Sequence, residues 1–114
     1  MKARIYHNPR CSKSRATLAL LTERAVELTV VDYLETPPSK SELRELARKL
    51  GAPALTLVRV DEPEFRAHTG RVLSDDEIFA LLVAHPRLLQ RPIVEVGAKA
   101  RIGRPPECVL ELFV

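Results

Sequence analysis

The chain contains no tryptophan, and aromatic residues make up only 4% of its 114 positions. Proteins that bind nucleic-acid strands usually interleave aromatics with a long basic face. Here the net charge is a modest +3 and basic residues mostly alternate with acids, so no nucleic-acid partner is expected. There are only two cysteines, Cys11 and Cys108, near opposite ends of the chain. A domain of this size with 46% hydrophobic residues does not need a disulfide, so the two are not read as a structural pair. Neither cysteine has another two residues away, and His7, His68 and His85 are scattered, so no zinc-ligand spacing exists and no metal site is expected. No apolar run approaches the roughly 20 residues that span a bilayer. The N-terminal MKARIYHNPRC lacks the apolar core of a secretory leader. The expectation is one soluble domain over 1–114, cytoplasmic, away from membranes, and monomeric because no continuous exposed apolar stripe is evident.

What the chain does have is a concentration of positive charge at one end. Lys2, Arg4, Arg10, Lys13 and Arg15 fall within the first fifteen residues with no acid among them, which suits a small anion better than a polymer. Residues 2–6 read as a strand, stopped by the turn signal Asn8-Pro9. Helical spacing of Leu18, Leu21 and Ala25 then predicts a helix that starts near Ser12 and puts Cys11 at its N-terminus. LTVVDYL at 28–34 reads as a second, largely buried strand. Ser39 with Glu42 is a capping-box pattern opening a helix that Gly51 stops, and Ser74 with Glu77 opens another that ends at His85-Pro86. IVEV at 93–96 and KARI at 99–102 predict a hairpin turning at Gly97-Ala98, and Pro105 starts a terminal amphipathic helix. The order βαβα, extra helices, ββα predicts an α/β fold of the thioredoxin and glutaredoxin class, a mixed sheet with a helical insertion before the C-terminal hairpin and helix.

The chemistry centres on Cys11. Thiolate is the nucleophilic form of cysteine, and free N–H groups at a helix N-terminus stabilise it. Arg10 and Arg15 add positive charge, Ser14 can offer its hydroxyl, and His7 can contribute as a cation if its ring approaches the sulfur. The bland alternative is a small helix-start residue with incidental charges nearby. The same helix N-terminus is a ready anion site, so nucleophile and oxyanion cradle coincide. A phosphatase-like Cys-x5-Arg loop is excluded because position 17 is threonine. A dithiol Cys-x-x-Cys is excluded because the run is Cys11-Ser12-Lys13-Ser14. Cys108, set in VLELF, reads as a small buried hydrophobe, so a second thiol must come from outside.

The run YHNPRCSKSR, with DYLETPP, QRPIV and RIGRPPE following in order, resembles the glutaredoxin-coupled arsenate reductase (ArsC) family over almost the whole chain. The resemblance implies that Cys11 attacks the arsenic of bound arsenate, with Arg59, Arg91 and Arg104 holding the oxyanion; Arg15, read from the basic helix N-terminus, is expected to help bind it. It implies that His7 and Ser14 tune the thiolate, and that Asn8 and Pro92 shape the loops, with Arg91-Pro92 a cis bond. It implies no bound cofactor, glutathione as co-substrate, glutaredoxin as partner and arsenite as product. Two other readings remain open at this point. One is monothiol exchange with glutathione mixed disulfides, for which Cys-x-x-Ser suffices. The other is a Spx-type adaptor binding RNA polymerase, although the Cys-x-x-Cys switch of those adaptors is abolished by Ser14.

Overall fold

The computed structural model describes residues 1–67 and 70–113, so His68 lies outside the described residues. It divides into two compact units, Met1–Thr36 with Arg91–Val114, and Pro37–Gln90. Among the described residues, no helix is long and apolar enough to cross a membrane.

The first unit is built on a four-stranded mixed sheet of β1 (Lys2–His7), β2 (Glu27–Asp32), β3 (Ile93–Val96) and β4 (Lys99–Ile102), in the order β2-β1-β3-β4. β1 pairs parallel with β2 and antiparallel with β3, and β3 pairs antiparallel with β4. The parallel pair requires a crossover, supplied by helix α1 (Ser12–Thr22). β1 is central, and Ala3, Ile5, Tyr6 and His7 are all buried. Ile5 and Val94 of the sheet pack with Leu21 of α1 and with Val109 and Leu112 of the terminal segment to form this unit's core. Opposite one another on β1 and β3, Arg4 and Glu95 make a 3.3 Å ion pair.

Two expectations change here. β2 is an edge strand, not a largely buried one, and Val30 stands 48% exposed. Its β-branched residues satisfy strand propensity, and propensity does not say which place in the sheet a strand takes. The terminal helix is a 3-10 helix over Pro106–Phe113. Its buried residues, Val109 and Leu112, are three apart, a spacing that stacks them on one side of a three-residue turn.

The second unit is the helical insertion. Helix α2 (Lys40–Leu50) begins with the expected capping box, in which Ser39 Oγ accepts from the Glu42 amide at 3.1 Å and the Glu42 carboxylate accepts from the Ser39 amide at 3.1 Å. It ends at Gly51, which takes the left-handed conformation at φ 66°. A short helix α3 (Pro63–Arg66) follows, then α4 (Asp75–Ala84), opened by the second capping box at Ser74 and Glu77. Leu43 and Leu46 of α2, Ile78 and Leu82 of α4, and Leu57 and Leu88 from the connecting turns are each buried. The connections are pinned by a bridge between Val58 and Leu89, with Gln90 N donating to Leu57 O at 2.7 Å and Arg59 N to Leu88 O at 2.8 Å.

Candidate active site

β1 ends at His7 and α1 starts at Ser12, so four residues carry the chain from the sheet into the helix. Asn8 organises that loop. Its carbonyl accepts from Cys11 N at 3.0 Å, its Oδ1 accepts from Arg10 N at 3.0 Å, and its amide donates to Ser14 Oγ at 3.0 Å. Its side-chain amide also lies 3.5 Å from the hydroxyl of the buried Tyr33. Cys11 is thereby held in extended conformation as the N-cap of α1, half-buried, in a first turn that contains no acidic residue.

Two opposing effects act on the Cys11 thiol. Burial pushes its pKa up; the backbone N–H groups of Ser14 and Lys13, then the positive charges of Arg91 and Arg104, pull it down, and the net shift is downward. The helix thus acts on the sulfur through main-chain N–H groups of its first turn, at the positive end of the helix dipole. The basic neighbours in sequence, Arg10 and Arg15, are not among the charges that lower the thiol. Both are exposed, and Arg15 Nη1 donates to the Pro9 carbonyl at 2.9 Å, bracing the loop. The acidifying arginines come from the far end of the chain, which folding returns to α1.

His7 and Ser14 contact each other across this loop. His7 is buried, and burial lowers its pKa against an opposing pull from Asp32, with Arg15 adding to the lowering. Burial thus favours the neutral ring, which weighs against a cationic contribution of His7 to the thiol. Ser14 is fully buried, and its Oγ lies 2.6 Å from His7 Nδ1 while accepting from the Asn8 amide. Its hydroxyl is committed to His7 and the loop; its influence on Cys11 runs through its main-chain N–H.

Arg91 and Arg104 precede the two proline bonds that are cis, Arg91-Pro92, as expected, and Arg104-Pro105, which had no signal in the sequence. Arg104 Nη1 donates to the Arg91 carbonyl at 3.0 Å. Arg91 is half-buried, and its Nε is a fully buried N–H with no partner among the described residues. Arg59 belongs to the second unit, where its guanidinium donates to the Arg87 carbonyl at 3.1 Å and pairs with Glu62. Cys108, read from the sequence as a small buried hydrophobe, is free and half-buried. Among the described residues no group of His, Cys, Asp or Glu could hold a metal ion.

Sequence reasoning passed over Thr17 and Gly103. Ser14, Thr17 and Leu21 form the buried face of α1, and their three- and four-residue spacing was readable as a helix face. Two of the three are polar, which disguised it.

The chain is similar to known proteins along nearly its whole length. Residues 6–112 match the model of the ArsC family. This chain belongs to the ArsC family. The ArsC match encloses Cys11, Arg59, Arg91 and Arg104. One relative, an arsenate reductase from Neisseria meningitidis serogroup B, is 46% identical, with 91% of this chain and 92% of that protein covered. Another, the uncharacterized protein YfgD of Escherichia coli K12, is 48% identical over 97% of this chain and 96% of its own length. The solved arsenate reductase from Vibrio cholerae superposes with a TM-score of 0.93 at 47% identity, covering 98% of each chain. The thioredoxin-like mixed sheet with its helical insertion is thus the architecture this ArsC-family chain shares with solved arsenate reductases.

Proposed function

We propose that this chain reduces arsenate to arsenite, with the Cys11 thiolate as nucleophile and external thiols as reductants. The observation that carries the reading is the pairing of an acidified thiol with arginines whose charge reaches it, one of them holding a buried, unpartnered N–H at Arg91 Nε. A buried donor without an acceptor is costly, and an oxyanion beside the thiol would satisfy it. The ArsC membership and the relatives bearing the name arsenate reductase favour arsenate as that oxyanion.

The chemistry follows from the charges. Arg91 and Arg104 offset the negative charge of arsenate, which otherwise repels an approaching thiolate. Cys11 Sγ bonds to arsenic and an arsenate oxygen leaves as water after protonation. Positive groups already in place stabilise the charge that develops on the departing oxygen. Glutathione then adds to arsenic, displacing a second oxygen as water. The glutaredoxin thiolate attacks the glutathione sulfur, forming one mixed disulfide and leaving the electron pair of the As–S bond on arsenic, which is thereby reduced by two electrons. Water then displaces Cys11 from the arsenic(III), releasing arsenite and the free thiol. Cys11 has no resolving partner in its own motif because position 14 is a buried serine, so glutathione and glutaredoxin fill that role.

The test is arsenate-dependent NADPH oxidation in the presence of glutathione, glutaredoxin and glutathione reductase. Wild type is expected to turn over, Cys11→Ser to be inactive, and Arg91→Ala to lose most activity. Wild-type inactivity with several glutaredoxins, alongside retained exchange with glutathione mixed disulfides, would replace arsenate reduction with monothiol exchange.

A further inference from the structure

The β3–β4 hairpin carries Arg91 and Arg104 at matching positions. The strands pair Ile93 with Ile102. The next rung is Pro92 with Gly103, where Gly103 N donates to Pro92 O at 2.9 Å. One rung further stand the two arginines, joined by the bond from Arg104 Nη1 to the Arg91 carbonyl. Whatever seats the rung of Pro92 and Gly103 therefore sets the backbone from which both arginine side chains extend, and the Arg104 guanidinium is tied back to that backbone at the Arg91 carbonyl.

That seat is α1 itself. A side-chain carbon at Gly103 would lie 2.6 Å from Thr17 Oγ1, 3.3 Å from Thr17 Cγ2 and 2.8 Å from Pro92 Cγ, closer than a carbon can approach without displacing them. Thr17 cannot easily turn aside. It is fully buried, and its Oγ1 donates to the Lys13 carbonyl at 2.8 Å. Glycine is required at 103 for space; its backbone lies outside the left-handed region, so conformation does not demand it. Thr17 lies on the same helix whose N-cap is Cys11, so this contact ties the arginine-bearing end of the hairpin to the element that presents the thiol.

We propose that Gly103, seated against Thr17, is a positioning residue that sets how closely Arg91 and Arg104 approach Cys11. The inference deepens the proposed reading of the same site, but its test needs no arsenate. If arsenate turnover is absent, the contact can still govern the thiol; if the contact is irrelevant, arsenate reduction can still proceed.

The experiment measures the rate of alkylation at Cys11 against pH, with peptide mass spectrometry to count Cys108 separately, in the full chain. Gly103→Ala is expected to raise the midpoint and to lower the reactive fraction below that midpoint roughly threefold or more, since displaced positive charges stabilise the thiolate less. In an Arg91→Gln, Arg104→Gln background the same substitution is expected to have no further effect, the non-additivity that marks action through those two residues. An unchanged midpoint in the single variant, or an equal shift in the background lacking both arginines, overturns the proposal. Should Gly103→Ala not fold, Thr17→Ala carries the same test. It removes two of the three crowding atoms, unpins the hairpin, and is expected to raise the midpoint by less; no change in it overturns the proposal equally.

Discussion

His7 Nδ1 and Ser14 Oγ sit 2.6 Å apart, both buried, and join the end of β1 to the first turn of α1. The bond closes the loop that holds Cys11 from behind, and it occupies the one serine whose hydroxyl the motif offers to the sulfur. Its stability role and the thiol's acidity are therefore separable.

Ser14→Ala deprives a buried histidine nitrogen and the Asn8 amide of their partner, so it is expected to cost about 1–3 kcal/mol of folding free energy. It keeps the main-chain N–H that acts on Cys11. Urea denaturation of the variant should show the loss, while the alkylation midpoint of Cys11 moves far less than in Arg91→Gln. Unaltered stability together with a strongly raised thiol midpoint would reverse this assignment of roles.

The arginines remote in sequence, not the adjacent ones, are expected to govern the thiol. Arg91→Gln and Arg104→Gln should each raise the Cys11 midpoint, whereas Arg10→Gln and Arg15→Gln should leave it nearly unchanged. Alkylation rates across pH for the four variants decide the matter, and a dominant effect of Arg10 would contradict the charges assigned to the site.

His7 makes stability depend on pH in a definite direction. Its folded pKa lies below the ordinary 6.5, so the unfolded chain binds the proton more readily. Stability is full above the unfolded value, falls as pH drops through it, and levels off below the folded value. Urea midpoints between about pH 7.5 and about pH 5.5 should decline in wild type and flatten in His7→Gln, with carboxylates common to both. Parallel slopes in the two proteins would remove His7 as the cause.

In the second unit, Gly51 closes α2 at φ 66° with open space where a side chain would go. Gly51→Ala is expected to cost roughly 1 kcal/mol from conformation alone. Gly51→Asn should cost less, because asparagine tolerates the left-handed region. Thermal or urea unfolding of both variants ranks them, and equal stability of all three proteins would deny the cap its part.

Local features were legible in the residues themselves. Ser39 with Glu42 and Ser74 with Glu77 encode capping boxes because donor and acceptor lie within one helical turn, and both formed. Asn8-Pro9 followed by helical spacing placed Cys11 at a helix start, and Gly97-Ala98 divided two strands whose bounds match the sequence reading. The YHNPRCSKSR run and the later segments also carried the family. Only the tertiary structure decided which strand lies at the edge, which arginines reach the sulfur, where the Ser14 hydroxyl goes, and why residue 103 has no side chain. Each depends on segments up to some ninety residues apart meeting at a few ångströms. Spacing along the chain records contacts within a turn or a hairpin; charge and steric contact act through space, and the sheet order that brings Arg91, Arg104 and Gly103 back to α1 exists only once the chain has folded.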